Sequence, residues 1–250
     1  MGLCNLIDLH SHILPGLDDG ASTMEDSLQM ARMAVADGIR TMVASPHLYK
    51  SRRADREKIN LKAEVLAKIN EFKEKLVVEG IDLEILPGCD FPLGFESLQL
   101  LDDGEVYTIN DGKRYLLLEF PDASVPPASE DICFRLQSKG ITPIITHPER
   151  HLVFSEMPRK LERLLDLGCL AQVTASSLTG GFGRSVARVA RDMMRQGYFQ
   201  ILATDAHDTR KRPPLLRQAL EKASSIVGKE QALAMVTSIP EKIIKGEPWF

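Results

Sequence analysis

Short apolar runs alternate with amphipathic stretches along almost the entire chain. Residues 6–10, 41–45, 83–87, 115–120, 142–146, 170–174 and 200–204 read as seven strands, bounded by Gly, Pro or polar clusters. Between and after them, residues 24–37, 56–79, 129–139, 159–167, 185–196, 213–227 and 229–236 carry helical patterns. In the first helix Leu28, Met30, Ala31, Met33, Ala34 and Val35 lie mostly on one face. Ser22 or Thr23 suits its N-cap and Gly38 its C-cap. Strands alternating with helices of this length predict βαβ units and a parallel sheet. Runs such as Tyr115-Leu116-Leu117-Leu118 are apolar throughout, as expected where both faces of a sheet are covered. Seven βα units suit a barrel, although an open doubly wound sheet has the same local pattern. No linker or repeat divides the chain, so residues 1–250 are expected to form a single domain.

Composition narrows the class. With 250 residues, 44% hydrophobic and 26% charged, the chain is long enough to bury a core without disulfides. Its net charge of −4 argues against a broad nucleic-acid surface. The longest apolar runs fall far short of the ~18 residues of a membrane span. Residues 1–9 lack the basic start of a signal peptide, so the expected address is cytoplasmic, without membrane insertion. The four cysteines, Cys4, Cys89, Cys133 and Cys169, are scattered and read as free thiols. A cysteine phosphatase would need Arg six positions after its nucleophile. Those positions hold His10, Phe95, Lys139 and Ala175, which excludes that chemistry.

The histidines point elsewhere. His10 and His12 end the first predicted strand, His47 follows the second, His147 the fifth and His207 the seventh. Asp90 follows the third strand, Glu119 ends the fourth, and Asp19 and Asp205 lie in the loops beyond the first and the last. One such residue after a strand is ordinarily a turn former or a surface group. Nine on strand C-termini, which share one face in a parallel α/β fold, are a joint pattern that chance rarely produces. Imidazole and carboxylate without thiolate suit Mn²⁺, Fe²⁺ or Zn²⁺, and nine donors exceed the needs of one ion. Two or three bridged divalent ions are expected, the arrangement that clamps phosphoryl oxygens and activates water near neutral pH. Arg150 and Arg212 lie on the same rim and offer planar forks for phosphate. Arg210 and Lys211 read rather as solvated charge, and Lys50-Ser51-Arg52-Arg53 as an exposed loop. Gly180-Gly181-Phe182-Gly183-Arg184-Ser185 is glycine-rich but lacks the pattern of a Walker loop.

In combination, Asp8-Leu9-His10-Ser11-His12, Asp18-Asp19-Gly20, Ser45-Pro46-His47, Glu119-Phe120, Thr146-His147-Pro148-Glu149-Arg150 and Thr204-Asp205-Ala206-His207 resemble the PHP (polymerase and histidinol phosphatase) superfamily. More narrowly the chain is similar to the manganese-dependent protein-tyrosine phosphatases of bacterial capsule and exopolysaccharide loci. The resemblance implies a distorted (β/α)7 barrel, a trinuclear centre with manganese first and iron or zinc as alternatives, and hydrolysis of phosphotyrosine on a bacterial tyrosine autokinase. By the same resemblance His10, His12 and Asp205 would hold one ion, Asp19, His47 and His207 another, and Glu119 with His147 the third. A bridging acid at Asp90 would be shared by the first and third ions, with Arg150 catalytic and Arg212 binding phosphate. At the bridging position this chain has Gly88-Cys89-Asp90, where the family has Glu, one methylene longer. Two other functions stay open at this point: a small-molecule phosphatase, for example on histidinol phosphate, and a non-catalytic, metal-stabilised regulatory module.

Overall fold

The computed structural model describes residues 5–49 and 59–250. Cys4 and the segment Lys50-Ser51-Arg52-Arg53 lie outside them, as does the predicted start of the helix at 56. Among these described residues eight parallel strands form two sheets. β1 (Leu6–Ser11), β2 (Ile39–Ala44) and β3 (Glu84–Pro87) make the first. β4 (Asp90–Pro92), β5 (Tyr115–Glu119), β6 (Thr142–Thr146), β7 (Leu170–Thr174) and β8 (Ile201–Ala203) make the second, in chain order.

The extra strand, β4, is three residues long and starts two residues after β3. It pairs Asp90 with Leu117 and Pro92 with Glu119. So short an element has no periodicity to read. The helices Phe95–Asp102, Leu152–Glu156, Ala175–Thr179 and Ser238–Ile244 likewise escaped the pattern, three of them having only five to seven residues. Where the pattern was long it located its element. The helix Met24–Asp37 starts at a capping box in which Thr23 and Asp26 satisfy each other, and stops at Gly38, whose φ of 101° suits glycine. The predicted helix from 213 begins only at Arg217, because the Pro213-Pro214 step cannot donate the backbone hydrogen bonds of a helix interior.

Each sheet is covered on both faces. Alternate residues of seven strands, including Ile7, Leu9, Val43, Leu86, Leu117, Ile144, Leu170 and Ile201, meet in a small inner core. The opposite faces pack under the helices in a larger outer core containing Met30, Phe72, Phe91, Leu118 and Leu202. The inner-facing column turns polar towards the strand C-termini: Leu117 is followed two residues on by Glu119, and Leu170 by Gln172. Period-two alternation thus carries polar side chains into the end of an otherwise apolar interior.

Both sheets meet at that end. On one side the His12 amide donates to the Ala206 carbonyl at 2.8 Å and the Asp205 amide to the His10 carbonyl at 2.9 Å. On the other, the Asp90 amide donates to Pro46 at 3.1 Å and the Leu48 amide to Asp90 at 3.3 Å. Among the described residues no closed ladder is formed, yet the backbone joins consist of the chemistry-bearing residues and their neighbours.

Candidate metal centre

His10 projects from β1 and is fully buried, with Nδ1 3.1 Å from Gln172 Oε1 on β7. His12 Nδ1 lies 2.7 Å from Asp18 Oδ2. With each Nδ1–H donated to an acceptor, each Nε2 keeps a lone pair. Those two Nε2 atoms face each other at 3.2 Å, and Asp205 Oδ1 stands 3.5 Å from both. His207 follows the same rule, its Nδ1 2.8 Å from the Asp205 carbonyl and its buried Nε2 without a hydrogen-bond partner. Both carboxylate oxygens of Asp90 are buried and accept no hydrogen bond, while Oδ2 approaches His10 Nε2 at 3.5 Å and His47 Nδ1 at 3.3 Å. Lone pairs converging on one another in a buried place are costly unless a cation or protons sit among them. The donor set fits divalent ions.

Among the described residues three overlapping groups have ligand atoms within 4.8 Å of one another: His10, His12 and Asp205; His12, Asp19, His47 and His207; and His47, Asp90 and Glu119. His47 joins two of them because Nε2 stands 3.4 Å from Asp19 while Nδ1 stands 3.3 Å from both Asp90 and Glu119. His147 belongs to none of these groups; its Nε2 is 3.7 Å from Glu119 Oε1. His147 and Asp205 hold positive φ, 37° and 51°, a left-handed backbone that non-glycine residues seldom adopt.

Without a cation, protons balance the acids. Burial opposes charge on His12, but Asp18 more than compensates and pushes it up to about 9. Burial likewise opposes charge on His47, yet Asp19, Asp90 and Glu119 hold it well above the usual imidazole range. Burial and the neighbouring His12 push His207 down to about 4, and burial with Arg150 keeps His147 neutral. Asp90 and Asp205 stay ionised despite burial, through His10 and Arg150 respectively.

Arg150 and Arg212 stand on one side of this cluster. Arg150 Nη2 ion-pairs with Asp205, and its guanidinium lies 4.4 Å from the centre of the Phe182 ring. Arg212 spans Asp19 at 3.4 Å and Asp205 at 3.7 Å. Together with Phe120, Asp122, Thr146, His147 and His151 they line a pocket of about 110 Å³. His151, unassigned from the sequence, caps the helix Leu152–Glu156 and lies 2.7 Å from the Pro121 carbonyl through Nε2. Asp18 and Gln172 are the residues that sequence reasoning missed as imidazole orienters. Gln172 was the detectable one, a lone amide inside the apolar run of β7.

Gly20 shows how tightly this loop is built. A Cβ there would stand 2.1 Å from the His12 carbonyl oxygen and 2.5 Å from the His12 Cβ. The Gly20 amide donates to Asp18 Oδ1 at 2.9 Å, and Asp18 Oδ2 also accepts from the His47 amide. Gly20→Ala is therefore expected to push Asp18 and Asp19 off His12 and His47. Metal content of the purified variant should fall while the far-ultraviolet circular dichroism stays that of a folded chain. Full metal content would show that the loop relaxes without moving the acids.

Metal and stability should be linked, since ions that bind only the folded form stabilise it by mass action. A ligand at a hundred times its Kd adds about 2.7 kcal/mol, which for a chain of this length corresponds to roughly 5–10 °C in Tm. Chelation is expected to lower the melting temperature by that amount. An unchanged curve after verified metal removal would contradict it.

Parallel α/β architecture with a largely buried His/Asp/Glu cluster at the strand C-termini and two arginines beside it defines a protein of the metal-dependent hydrolase class. The chain belongs to the CpsB/CapC family of capsular polysaccharide synthesis, whose model matches residues 6–245. It is 34% identical to the tyrosine-protein phosphatase YwqE of Bacillus subtilis, over 98% of this chain and 94% of that one. Identity to the tyrosine-protein phosphatase CpsB of Streptococcus pneumoniae is 28%, over 96% and 98%. The crystal structure reported for YwqE together with CpsB, metal-dependent tyrosine phosphatases, superposes with a TM-score of 0.92 at 34% identity, covering 98% of this chain and 96% of that one. An amidohydrolase from Mycoplasma synoviae, 10% identical with a TM-score of 0.59 over 96% of this chain and 87% of its own, shares the fold alone.

Proposed function

We propose that this chain is a metal-dependent protein-tyrosine phosphatase of the PHP type, with manganese as its metal, acting in the cytoplasm on a bacterial tyrosine autokinase. One observation carries the reading: the buried Asp90 carboxylate, without a hydrogen-bond donor, stands between His10 and His47 where the donor groups meet, beside a pocket holding two arginines. The family's place in capsular polysaccharide synthesis and the activity of the relatives support the substrate class. We further read the two sheets as a distorted barrel drawn together by the joins at His10, His12, Pro46 and Asp90. The short extra strand β4 would then be an addition to a (β/α)7 plan.

His10, His12 and Asp205 would hold one ion, Asp19, His47 and His207 a second, and Glu119 with His147 a third, Asp90 bridging the first and third. When bound, such ions supply Lewis-acid charge to phosphoryl oxygens and make water acidic near neutral pH. The protein's own residues do the rest. Asp18, Gln172 and the Asp205 carbonyl each fix an imidazole tautomer, so that the Nε2 lone pairs point inward. Arg150, held between Asp205 and Phe182, meets the charge that grows on the phosphoryl oxygens, and Arg212 docks the phosphate. A departing tyrosinate, pKa near 10, needs less protonation than an alkoxide, and no side chain of the pocket is assigned as general acid. A pocket of about 110 Å³ has room for the phosphoryl end of a substrate and leaves the remainder outside, which suits a polypeptide better than an enclosed metabolite.

The test is a substrate panel on protein reconstituted separately with manganese, iron and zinc. A phosphotyrosine peptide is expected to turn over fastest, ahead of phosphoserine peptide and histidinol phosphate. A preference for histidinol phosphate would replace the protein substrate by a metabolite. Absence of turnover with every metal would leave the non-catalytic module.

A further inference from the structure

The glycine-rich segment after β7 has no part in the metal cluster, yet it lies against Arg150 of the pocket. Phe182 packs on Arg150, and the helix Gly183–Arg195 that follows packs against the turn Pro148–Arg150. Arg184, Arg188, Arg191 and Arg195 are spaced four, three and four residues apart on that helix, which places all four on one face. That face is turned outward: Arg184, Arg188 and Arg195 are exposed and Arg191 partly so, while Ala187, Ala190, Met193 and Met194 are buried. Arg195 pairs with Asp192 at 2.7 Å, and Arg191 bonds the Ala187 carbonyl. Among the described residues no ion pair is formed by Arg184 or Arg188. Arg184 also sits in the first turn, where the helix dipole disfavours a cation, and no acid of that turn offsets it. On a chain of net charge −4 this is a local inversion of sign, running about 16 Å from the pocket rim at 1.5 Å per residue.

We infer that this arginine face is a docking surface for an acidic polypeptide segment flanking the phosphotyrosine. The inference rests on the proposed phosphatase reading and adds the substrate's character. A pocket of about 110 Å³ cannot enclose a polypeptide, so the flanking residues must cross the rim, and the rim beside Arg150 continues into this helix. An extended strand covers about 3.3 Å per residue, so five acidic-flank residues span the stripe.

The experiment compares two phosphotyrosine peptides of equal length, one with Glu and Asp flanks and one with Gln and Asn. The flank is placed in turn on the N- and C-terminal side. The manganese-loaded wild type is set beside Arg184→Gln/Arg188→Gln and Arg184→Glu/Arg188→Glu, with p-nitrophenyl phosphate as the flankless control. Wild type is expected to favour one acidic flank by roughly fivefold to tenfold in kcat/KM at low ionic strength, from two or three exposed ion pairs. That preference should fade with added salt, vanish in the Gln pair and invert in the Glu pair, with p-nitrophenyl phosphate turnover unchanged. Equal kcat/KM for acidic and neutral flanks in wild type, or a preference that survives in both variants, would overturn it. Fluorescence anisotropy of the acidic peptide bearing a phosphonomethyl-phenylalanine reads docking without hydrolysis. If p-nitrophenyl phosphate is not hydrolysed, the phosphatase reading fails while this arm still decides the surface. Variant-sensitive binding to anionic vesicles with no flank preference would assign the face to lipid and also overturn the inference.

Discussion

Asp90→Asn is expected to strip at least one ion from the protein and to lower turnover by about a thousandfold or more, near the upper end of single-residue electrostatic effects. Divalent ions a few ångströms apart repel strongly, and a carboxylate between them is the usual remedy. The amide keeps the shape of Asp90 and loses its charge. No other acid near β3 can replace it. Glu84 is exposed on β3 and accepts from Thr41, and Glu96 is exposed on the helix Phe95–Asp102. The short side chain reaches its place because the backbone brings it there: the Asp90 amide is bonded to Pro46, and Gly88 lies so close to β2 that a Cβ would meet Val43 Cγ1 at 2.5 Å. Asp90→Glu should therefore crowd the centre and reduce activity instead of restoring a family-typical bridge. Elemental analysis of both variants, with melting curves as a check on folding, decides the matter. Full occupancy in Asp90→Asn would show that Asp90 is not a ligand.

Arg150→Ala is the second large effect, an expected fall of about a hundred- to a thousandfold in kcat with metal content kept. Its guanidinium has two partners, Asp205 and the Phe182 ring, and its Nε is buried without a hydrogen-bond acceptor. Arg150 also lines the pocket, so the terminal N–H groups that Asp205 does not take are left for a phosphoryl oxygen. Arg150→Lys should recover only part of the rate, because an ammonium keeps the charge but not the planar fork. Steady-state kinetics with p-nitrophenyl phosphate and metal analysis separate the outcomes. Near-normal turnover would make Arg150 a surface charge, and joint loss of metal and activity would make its role the support of Asp205.

The amino-acid sequence by itself determined the α/β class, most of the long elements and the nine candidate donors. Long periodic stretches such as Met24–Asp37 carry their own start and stop signals, Thr23 and Gly38, and apolar runs such as Tyr115–Leu118 announce strands covered on both faces. His, Asp and Glu recurring at strand ends are legible because a parallel sheet sends every strand terminus to one side, whatever the sequence distance. Tertiary structure alone decided what those residues touch. The strand Asp90–Pro92 exists because β5 offers it partners, not through any pattern of its own three residues. That Gln172 orients His10 across 162 positions follows from the pairing of β7 with β6 and β8, which no local signal encodes. His47 faces acids with both ring nitrogens, and His147 stands apart from the three tight donor groups, because ring orientation is set by packing and hydrogen bonds that form only once both sheets meet. Residue type and period are properties of the chain, whereas distance and direction between remote side chains are properties of the packed fold.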